Sequence, residues 1–142
     1  MNLPMYDPTL VQPMRDELTR IGFEELRTPE QVDAVMRTER ETTLVVVNSV
    51  CGCAARNARP AATLALAHAV RPKRLLTVFA GQDAEATATA RSYFAPYPPS
   101  SPQIAMFRDG QLVFMLERRQ IEGRQAAAIA ADLTAAFDRY CA

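Results

Sequence analysis

Apolar residues near the start of the chain recur at the spacing of an α-helix. Leu10, Met14, Leu18 and Ile21 lie three or four residues apart, and Pro8 suits the first turn of such a helix. The pattern therefore predicts an amphipathic helix from about Pro8 to Ile21.

A second helix is predicted to begin in the segment Thr28-Pro29-Glu30-Gln31. The threonine can cap the helix, the proline has the backbone angle of a first turn, and the glutamine occupies the capping-box position. The apolar stripe of this helix comprises Val32, Val35 and Met36. The two helices predict an N-terminal helical extension over about residues 1–41.

Two short apolar runs follow, at Thr42–Asn48 and Leu75–Phe79. Neither run alternates with polar residues, which is typical of strands that are buried on both faces of a sheet. The alanine-rich stretch between them predicts a helix from Cys53 to about Val70, kinked at Pro60. These segments form a strand–helix–strand unit.

Beyond this unit the pattern predicts a helix and a hairpin. Asp83 can cap a helix that runs to about Phe94, and a proline-rich loop follows. Apolar runs at Ile104–Phe107 and Leu112–Leu116 flank Asp109-Gly110, a dipeptide that strongly favours a hairpin turn.

The last predicted helix runs from Ile121 to Tyr140 and starts near Glu122-Gly123. Its apolar face comprises Ile129, Leu133 and Phe137. A strand–helix–strand unit followed by a helix and an antiparallel hairpin predicts an α/β fold. The layout is that of a thioredoxin-like three-layer sandwich, in which a central mixed sheet carries helices on both faces.

Length and charge narrow the classes of function. A chain of 142 residues fits one domain, so we predict a single domain over residues 1–142. Sixteen basic and sixteen acidic residues give a formal net charge of zero, which excludes a general attraction to nucleic acid or to an anionic membrane. Without a signal peptide or an apolar run of membrane-spanning length, we expect a cytoplasmic protein. Its apolar helix faces also allow a homodimer.

Two of the three cysteines are separated by one residue, in Cys51-Gly52-Cys53. An odd count with this spacing does not resemble the disulfide framework of a secreted domain. The pair falls at the carboxyl end of a predicted buried strand and at the amino end of a predicted helix, where sites in open α/β sheets gather. In a reducing compartment such a pair indicates redox chemistry or metal binding.

Thiol–disulfide exchange is the chemistry that this position favours. The amino end of a helix stabilises a thiolate, and Arg56 and Arg59 in the first turns either add to that field or face solvent. We predict Cys51 as the nucleophile, because it lies on the turn itself, and Cys53 as the resolving thiol. Gly52 lets the short link bend and lets a client backbone approach. A disulfide across one residue is expected to be strained, hence relatively oxidising.

Ser101-Pro102 precedes the first hairpin strand, where thioredoxin-like folds place a cis-proline beside the active-site cysteines. A cis bond there would leave neighbouring backbone groups free to pair with a client strand. Sequence alone favours the trans isomer for any single X–Pro bond, so the isomer stays open at this point.

Other interpretations of the cysteines remain. The pair could be two small buried residues without reactivity, or part of a metal or iron–sulfur site completed by Cys141, His68 or a second subunit. It could also serve a redox-sensing binding module. We expect His68, late in the long helix, to be a surface or packed residue, and Cys141 to be an exposed incidental thiol or an intermolecular disulfide partner.

The chain resembles the bacilliredoxins, thioredoxin-like proteins with a Cys-Gly-Cys motif. The resemblance rests on Met5-Tyr6-Asp7-Pro8, Val47-Asn48-Ser49-Val50-Cys51-Gly52-Cys53-Ala54, Ala58-Arg59-Pro60, Phe79-Ala80-Gly81-Gln82-Asp83, Ser101-Pro102 and Ile121-Glu122-Gly123. It implies removal of the small thiol bacillithiol from mixed disulfides on client proteins, or disulfide isomerisation. Cys51 would take the bacillithiol, Cys53 would expel it, and a separate reductant would recycle the pair without any bound cofactor or metal.

Overall fold

The computed structural model describes residues 3–142 and contains a five-stranded sheet flanked by helices. The strands are β1 (Glu24–Glu25), β2 (Thr43–Asn48), β3 (Arg74–Phe79), β4 (Gln103–Arg108) and β5 (Gln111–Leu116). The helices are α1 (Pro8–Thr19), α2 (Pro29–Met36), α3 (Arg59–Ala65), α4 (Ala84–Ser92) and α5 (Ala126–Tyr140). A π-helical segment (Ala54–Ala58) precedes α3, and a 3₁₀ turn (Arg118–Gln120) follows β5.

The sheet has the mixed topology that the sequence predicts. Its strand order is β1-β3-β2-β4-β5, with β1, β3 and β2 parallel and with β4 antiparallel to both of its neighbours. The continuous apolar runs form the central strands β2 and β3. The sequence did not predict β1, because two glutamates carry no apolar signal, yet Glu24 pairs with Leu76 at the edge of the sheet.

Helices cover both faces of this sheet, so the three-layer prediction is confirmed. Side chains of β2 alternate between the two cores: Leu44 and Val46 face α1, α3 and α5, whereas Val45 and Val47 face α2 and α4. The predicted stripe of α5 is fully buried in the first core, at Ile129, Leu133 and Phe137.

The predicted N-terminal helices are present, and each packs into a different core. Leu18 of α1 lies in the first core, and Val32 and Val35 of α2 lie in the second. At the start of α2 the capping box of Thr28 and Gln31 is formed in both directions. The extension also contributes β1, so it is not helical throughout.

The helix after the cysteines is shorter than predicted and begins with π geometry. Pro60 lacks an N–H, and the last N–H before it, from Arg59, donates to Ala54 O five residues back. The helix ends at Ala65 rather than Val70. The N–H groups of Ala67 and His68 donate three residues back, to Leu64 and Ala65, and the free carbonyl of Leu66 accepts from the Arg71 side chain at 2.9 Å. His68 therefore lies beyond the helix.

The last helix begins at Ala126 rather than Ile121. Gly123 has a φ of 79°, a left-handed conformation that a right-handed helix excludes. Glu122-Gly123 is consequently part of a turn between the 3₁₀ turn and α5, not the start of the helix. The turn lies beside Cys53, where Glu122 and Gly123 line the same groove.

Asp83 occupies the N-cap position of α4, but its side chain does not cap the helix as predicted. The carboxylate instead accepts a hydrogen bond from Arg15 Nη1 at 2.7 Å. A cation from α1 has therefore displaced the local capping interaction.

Candidate active site

The cysteine pair lies where β2 passes into a helix. Cys51 follows the carboxyl end of β2, and its carbonyl accepts hydrogen bonds from the N–H groups of Ala54 and Ala55 at 3.0 and 3.1 Å. The first helical turn thus begins at Cys51, with Gly52 and Cys53 inside it. The N–H groups of Cys53 and Ala54, at the start of this helix, also act on the Cys51 thiol.

The two sulfur atoms are adjacent. Cys51 Sγ and Cys53 Sγ lie 2.7 Å apart, and both cysteines are free thiols. Cys51 is half-buried, whereas Cys53 is only 7% exposed. An S–S bond is about 2.05 Å long, so the pair can close into a disulfide with little movement. Cys51 is the thiol that an external sulfur can reach more easily.

The structure separates the acidities of the two thiols. Burial acts to raise the pKa of Cys51, but hydrogen bonds from Cys53, from Ser49 and from two backbone N–H groups outweigh it and lower that pKa below its ordinary value. Burial also acts on Cys53, where the hydrogen bond and the charge of Cys51 add to it and raise the pKa to about 11. The first proton therefore leaves Cys51.

Alkylation should follow this order. We expect iodoacetamide to modify Cys51 at neutral pH, with a rate that rises through a pKa below that of a free cysteine, because only the thiolate reacts. Cys53 should be modified only after Cys51, because the hydrogen bond and the charge of Cys51 help to hold its pKa at about 11 until Cys51 is alkylated. Peptide mass mapping after timed alkylation at several pH values measures both rates. Preferential modification of Cys53 at neutral pH would contradict the assignment.

Arg59 neither faces solvent nor contacts a thiol, so neither sequence expectation describes it. It is 3% exposed, and its Nη1 donates to Asn48 Oδ1 at 2.9 Å and to Ser49 O at 2.8 Å. Its Nε lies 3.1 Å from Glu17 Oε2 of α1. Arg59 therefore stabilises the position of the chain before Cys51 through these hydrogen bonds.

Arg56 is exposed and its guanidinium covers Gly52. A Cβ atom at residue 52 would lie 2.5 Å from Arg56 Nη2, so glycine allows this close approach of the cation to the tripeptide. Within residues 3–142 no hydrogen bond or ion pair engages the Arg56 side chain. Its charge remains available to an incoming group.

A groove of about 770 Å³ opens beside Cys53. It runs between the first helical turn and the turn that precedes α5, and Arg118, Glu122 and Arg124 line its far side. Arg118 Nη2 pairs with Glu122 Oε2 at 2.7 Å, and its positive charge acts to lower the pKa of Cys53. Asn57 Nδ2 donates to Arg124 O, which joins the two walls.

The sequence does not predict most of the residues that line the far side of this groove. Arg118 lies far along the chain from Cys53, in a charged turn whose spacing carries no signal. Ser49 is easier to detect, because the polar residues Asn48 and Ser49 follow the apolar run Leu44–Val47, with one residue between Ser49 and Cys51. A polar residue at a buried strand end requires a partner, and here the partners form the site.

Ser101-Pro102 is a cis peptide in the structure, as is Ala95-Pro96. Arg118 links this segment to the site, since its Nη1 lies 3.4 Å from Ser101 O and its backbone N–H donates to Ser100 Oγ at 3.3 Å. The guanidinium that acts on Cys53 thus also contacts the loop before β4.

The structure does not bring His68 or Cys141 to the pair. His68 Nε2 contacts Asp138 Oδ1 at 2.8 Å. Cys141 is half-buried rather than exposed, with its sulfur 3.8 Å from Met106 Sδ, and it interacts with Thr42 at the opposite end of β2 from Cys51. The ligand set that the sequence offered for a metal is therefore not assembled within one chain.

Solved thioredoxins have the same fold. The chain is similar to thioredoxin from Malassezia sympodialis, with a TM-score of 0.56 and 14% identity over 85% of this chain and 92% of that one. Similarity to Fasciola hepatica thioredoxin gives a TM-score of 0.56 and 19% identity, over 83% and 99% of the two chains. These likenesses show a thioredoxin fold, and together with the relatives reported next they support a thiol–disulfide oxidoreductase.

Relatives with similar sequences identify the family within this class of protein. Residues 6–141 match a family model described as disulphide isomerase. A bacilliredoxin from Salinibacter ruber is 59% identical over 96% of this chain and 81% of its own length. A bacilliredoxin from Koribacter versatilis is 57% identical over 96% of this chain and 94% of its own length. One from Staphylococcus aureus is 49% identical over 99% of this chain and 97% of its own length. The chain belongs to the bacilliredoxin family.

No helix in the described part of the chain is long and apolar enough to cross a membrane.

Proposed function

We propose that this protein removes bacillithiol from mixed disulfides on client proteins, with Cys51 as the nucleophile and Cys53 as the resolving thiol. The observation that carries the proposal is the pair of sulfur atoms 2.7 Å apart, one with a lowered pKa and one with a raised pKa. The small thiol itself is suggested by the names of the relatives, which are bacilliredoxins.

In the first step the Cys51 thiolate attacks the bacillithiol sulfur of the mixed disulfide. A bond forms between Cys51 Sγ and that sulfur, the client–bacillithiol S–S bond breaks, and the client sulfur leaves as a thiolate. The number of disulfides is unchanged. Because its pKa is lowered, a larger fraction of Cys51 is thiolate at neutral pH than of an ordinary cysteine, and that fraction attacks without a separate base.

The second step depends on a change at Cys53. The hydrogen bond and the negative charge of Cys51 help to hold the pKa of Cys53 at about 11, and both disappear once Cys51 is in a disulfide. The Arg118 charge, which acts in the opposite direction, remains. Cys53 then attacks Cys51 Sγ, the Cys51–bacillithiol bond breaks, and the departing thiolate takes up the proton that Cys53 releases.

The groove beside Cys53 is a suitable place for the small thiol. Its volume of about 770 Å³ falls in the range of small-molecule sites. The unpartnered Arg56 covers its edge at Gly52. Clients would approach the more exposed Cys51, and a separate reductant would reopen the Cys51–Cys53 disulfide. We place this cycle in the cytoplasm, with no bound cofactor or metal.

Disulfide isomerisation is a second candidate, favoured by the description of the matching family model. The same chemistry serves it, because Cys51 can form a mixed disulfide with a client sulfur directly. Cys53 then releases clients that fail to rearrange. Isomerisation needs a client with several disulfides, whereas bacillithiol removal needs only one modified cysteine.

The proposed substrate can be tested with one client cysteine carrying either bacillithiol or glutathione. We expect the wild-type protein to release the client thiol from the bacillithiol adduct, to carry transient bacillithiol on Cys51, and to turn over repeatedly when a reductant is supplied. Mass spectrometry follows both proteins. Equal rates on the two adducts would argue against a bacillithiol preference. A single oxidation without turnover would favour the redox-sensing module instead.

A further inference from the structure

Ser49 lies between β2 and Cys51 and is only 6% exposed. Its hydroxyl makes two contacts with Cys51. The oxygen accepts a hydrogen bond from the Cys51 backbone N–H at 3.4 Å, and the hydroxyl donates to Cys51 Sγ at 3.2 Å. Since the backbone N–H approaches a lone pair of the oxygen, the single hydroxyl proton is left to point at the sulfur.

We propose that Ser49 is a catalytic residue of the exchange reaction, and that Asn48 and Arg59 are positioning residues that hold its hydroxyl against Cys51. The hydroxyl keeps its proton throughout and donates a hydrogen bond to the attacking thiolate. When Cys51 enters a disulfide, the negative charge moves to the departing sulfur, so this hydrogen bond favours the thiolate over the bonded state.

The backbone of Ser49 is fixed on both sides. Its N–H donates to Asn48 Oδ1 at 2.9 Å, and its carbonyl accepts from Arg59 Nη1 at 2.8 Å. The same Nη1 donates to Asn48 Oδ1 at 2.9 Å. Asn48 is in turn anchored to α1, because its Nδ2 donates to Met14 O at 3.1 Å. Movement of the Ser49 backbone away from Cys51 would break several of these buried hydrogen bonds.

The guanidinium of Arg59 is engaged by a carboxylate and by two polar oxygens of the chain before Cys51. Its Nε lies 3.1 Å from Glu17 Oε2 of α1, and its Nη1 is engaged by Asn48 and Ser49. A buried guanidinium with these partners acts through geometry. The chain of contacts thus runs from α1 through Arg59 and Asn48 to Ser49 and the Cys51 sulfur.

The hydroxyl can be tested in a chain carrying Cys53→Ser and Cys141→Ser, where Cys51 is the remaining thiol because the protein has three cysteines. Thiolate absorbance at 240 nm then reports Cys51 alone. We expect Ser49→Ala to raise the titration midpoint by about one pH unit, which is roughly tenfold less thiolate below the midpoint. Ser49→Thr, which keeps the hydroxyl, should restore it. An unmoved midpoint in Ser49→Ala overturns the proposal.

The positioning role needs a variant that keeps the charge. Arg59→Lys retains the cation but loses the contacts of Nη1 with Asn48 and Ser49, so we expect the titration midpoint of Cys51 to rise. Adding Ser49→Ala to Arg59→Lys should raise that midpoint no further. Asn48→Ala makes the same comparison independently. The positioning role would be overturned if neither Arg59→Lys nor Asn48→Ala moved the midpoint. It would also be overturned if their shifts added to the shift of Ser49→Ala in the combined variants. Far-UV circular dichroism checks that each variant is folded.

This inference rests on the proposed exchange role of Cys51 but not on the identity of the small thiol. The titration uses neither client nor bacillithiol. Its result therefore separates a failure at Ser49 from a failure of the proposed substrate.

Discussion

Cys51→Ser will abolish release of the small thiol from a client, lowering the rate by at least about 10³-fold, because a serine hydroxyl is not ionised at neutral pH and cannot replace the attacking thiolate. The fold should be unaffected, since serine is close to cysteine in size and Cys51 is only half-buried. Release of the client thiol, followed by mass spectrometry, measures the loss.

Cys53→Ser gives a different expected result with the same client. The first step still occurs, so one equivalent of client thiol is released and the small thiol stays on Cys51, but the variant cannot expel it. The matched control is Cys141→Ser, since Cys141 lies at the opposite end of β2, and it should behave as wild type. Continued turnover by Cys53→Ser, or an adduct on Cys141, would mean that the roles are wrongly assigned.

The position of the two cysteines was predictable from the sequence because it depends on local order. The runs that became β2 and β3 are mostly apolar, and two residues separate the end of β2 from Cys51-Gly52-Cys53. A strand of that kind followed by an alanine-rich segment fixes the pair at a strand end and a helix start. Local pattern was sufficient for the topology and for the two cysteines.

The surroundings of the pair depend on distant contacts, and the sequence could not supply them. Arg118 reaches the thiols only because the chain turns after β5, and Gly123 holds the next segment out of helical geometry. The sequence left Arg59 either near a thiolate or facing solvent, yet the side chain is buried and donates to Asn48 and Ser49. Periodicity reports which face of an element is buried, not which distant side chain meets it.

Arg15 is another residue whose distant partners the sequence does not predict. We expect its substitution to have the second large effect, on the stability of the fold. Arg15 is 2% exposed, and its Nη1 contacts Glu25 Oε2 at 2.8 Å and Asp83 Oδ2 at 2.7 Å. The guanidinium also lies over the Phe79 ring, 5.1 Å from its centroid. One buried cation therefore ties α1 to β1, to the end of β3 and to the start of α4.

Arg15→Met should lower the free energy of unfolding by about 3–5 kcal/mol, because it leaves two largely buried carboxylates next to each other without their cation. That is a large fraction of the roughly 5–15 kcal/mol typical of a folded domain. Urea unfolding of the reduced protein, followed by far-UV circular dichroism, measures the change.

Arg27→Met is the matched control, since Arg27 also pairs with Asp83 but is 54% exposed, with Nε and Oδ1 3.7 Å apart. An exposed pair contributes about 1 kcal/mol or less. Adding Glu25→Gln and Asp83→Asn to Arg15→Met removes the stranded charges and should recover part of the loss. If Arg15→Met costs no more than Arg27→Met, the three side chains do not act as a buried charge cluster. If the neutralised variant recovers nothing, the loss comes from packing on Phe79 rather than from unpaired charge, because methionine cannot reproduce the contact of the guanidinium with the ring.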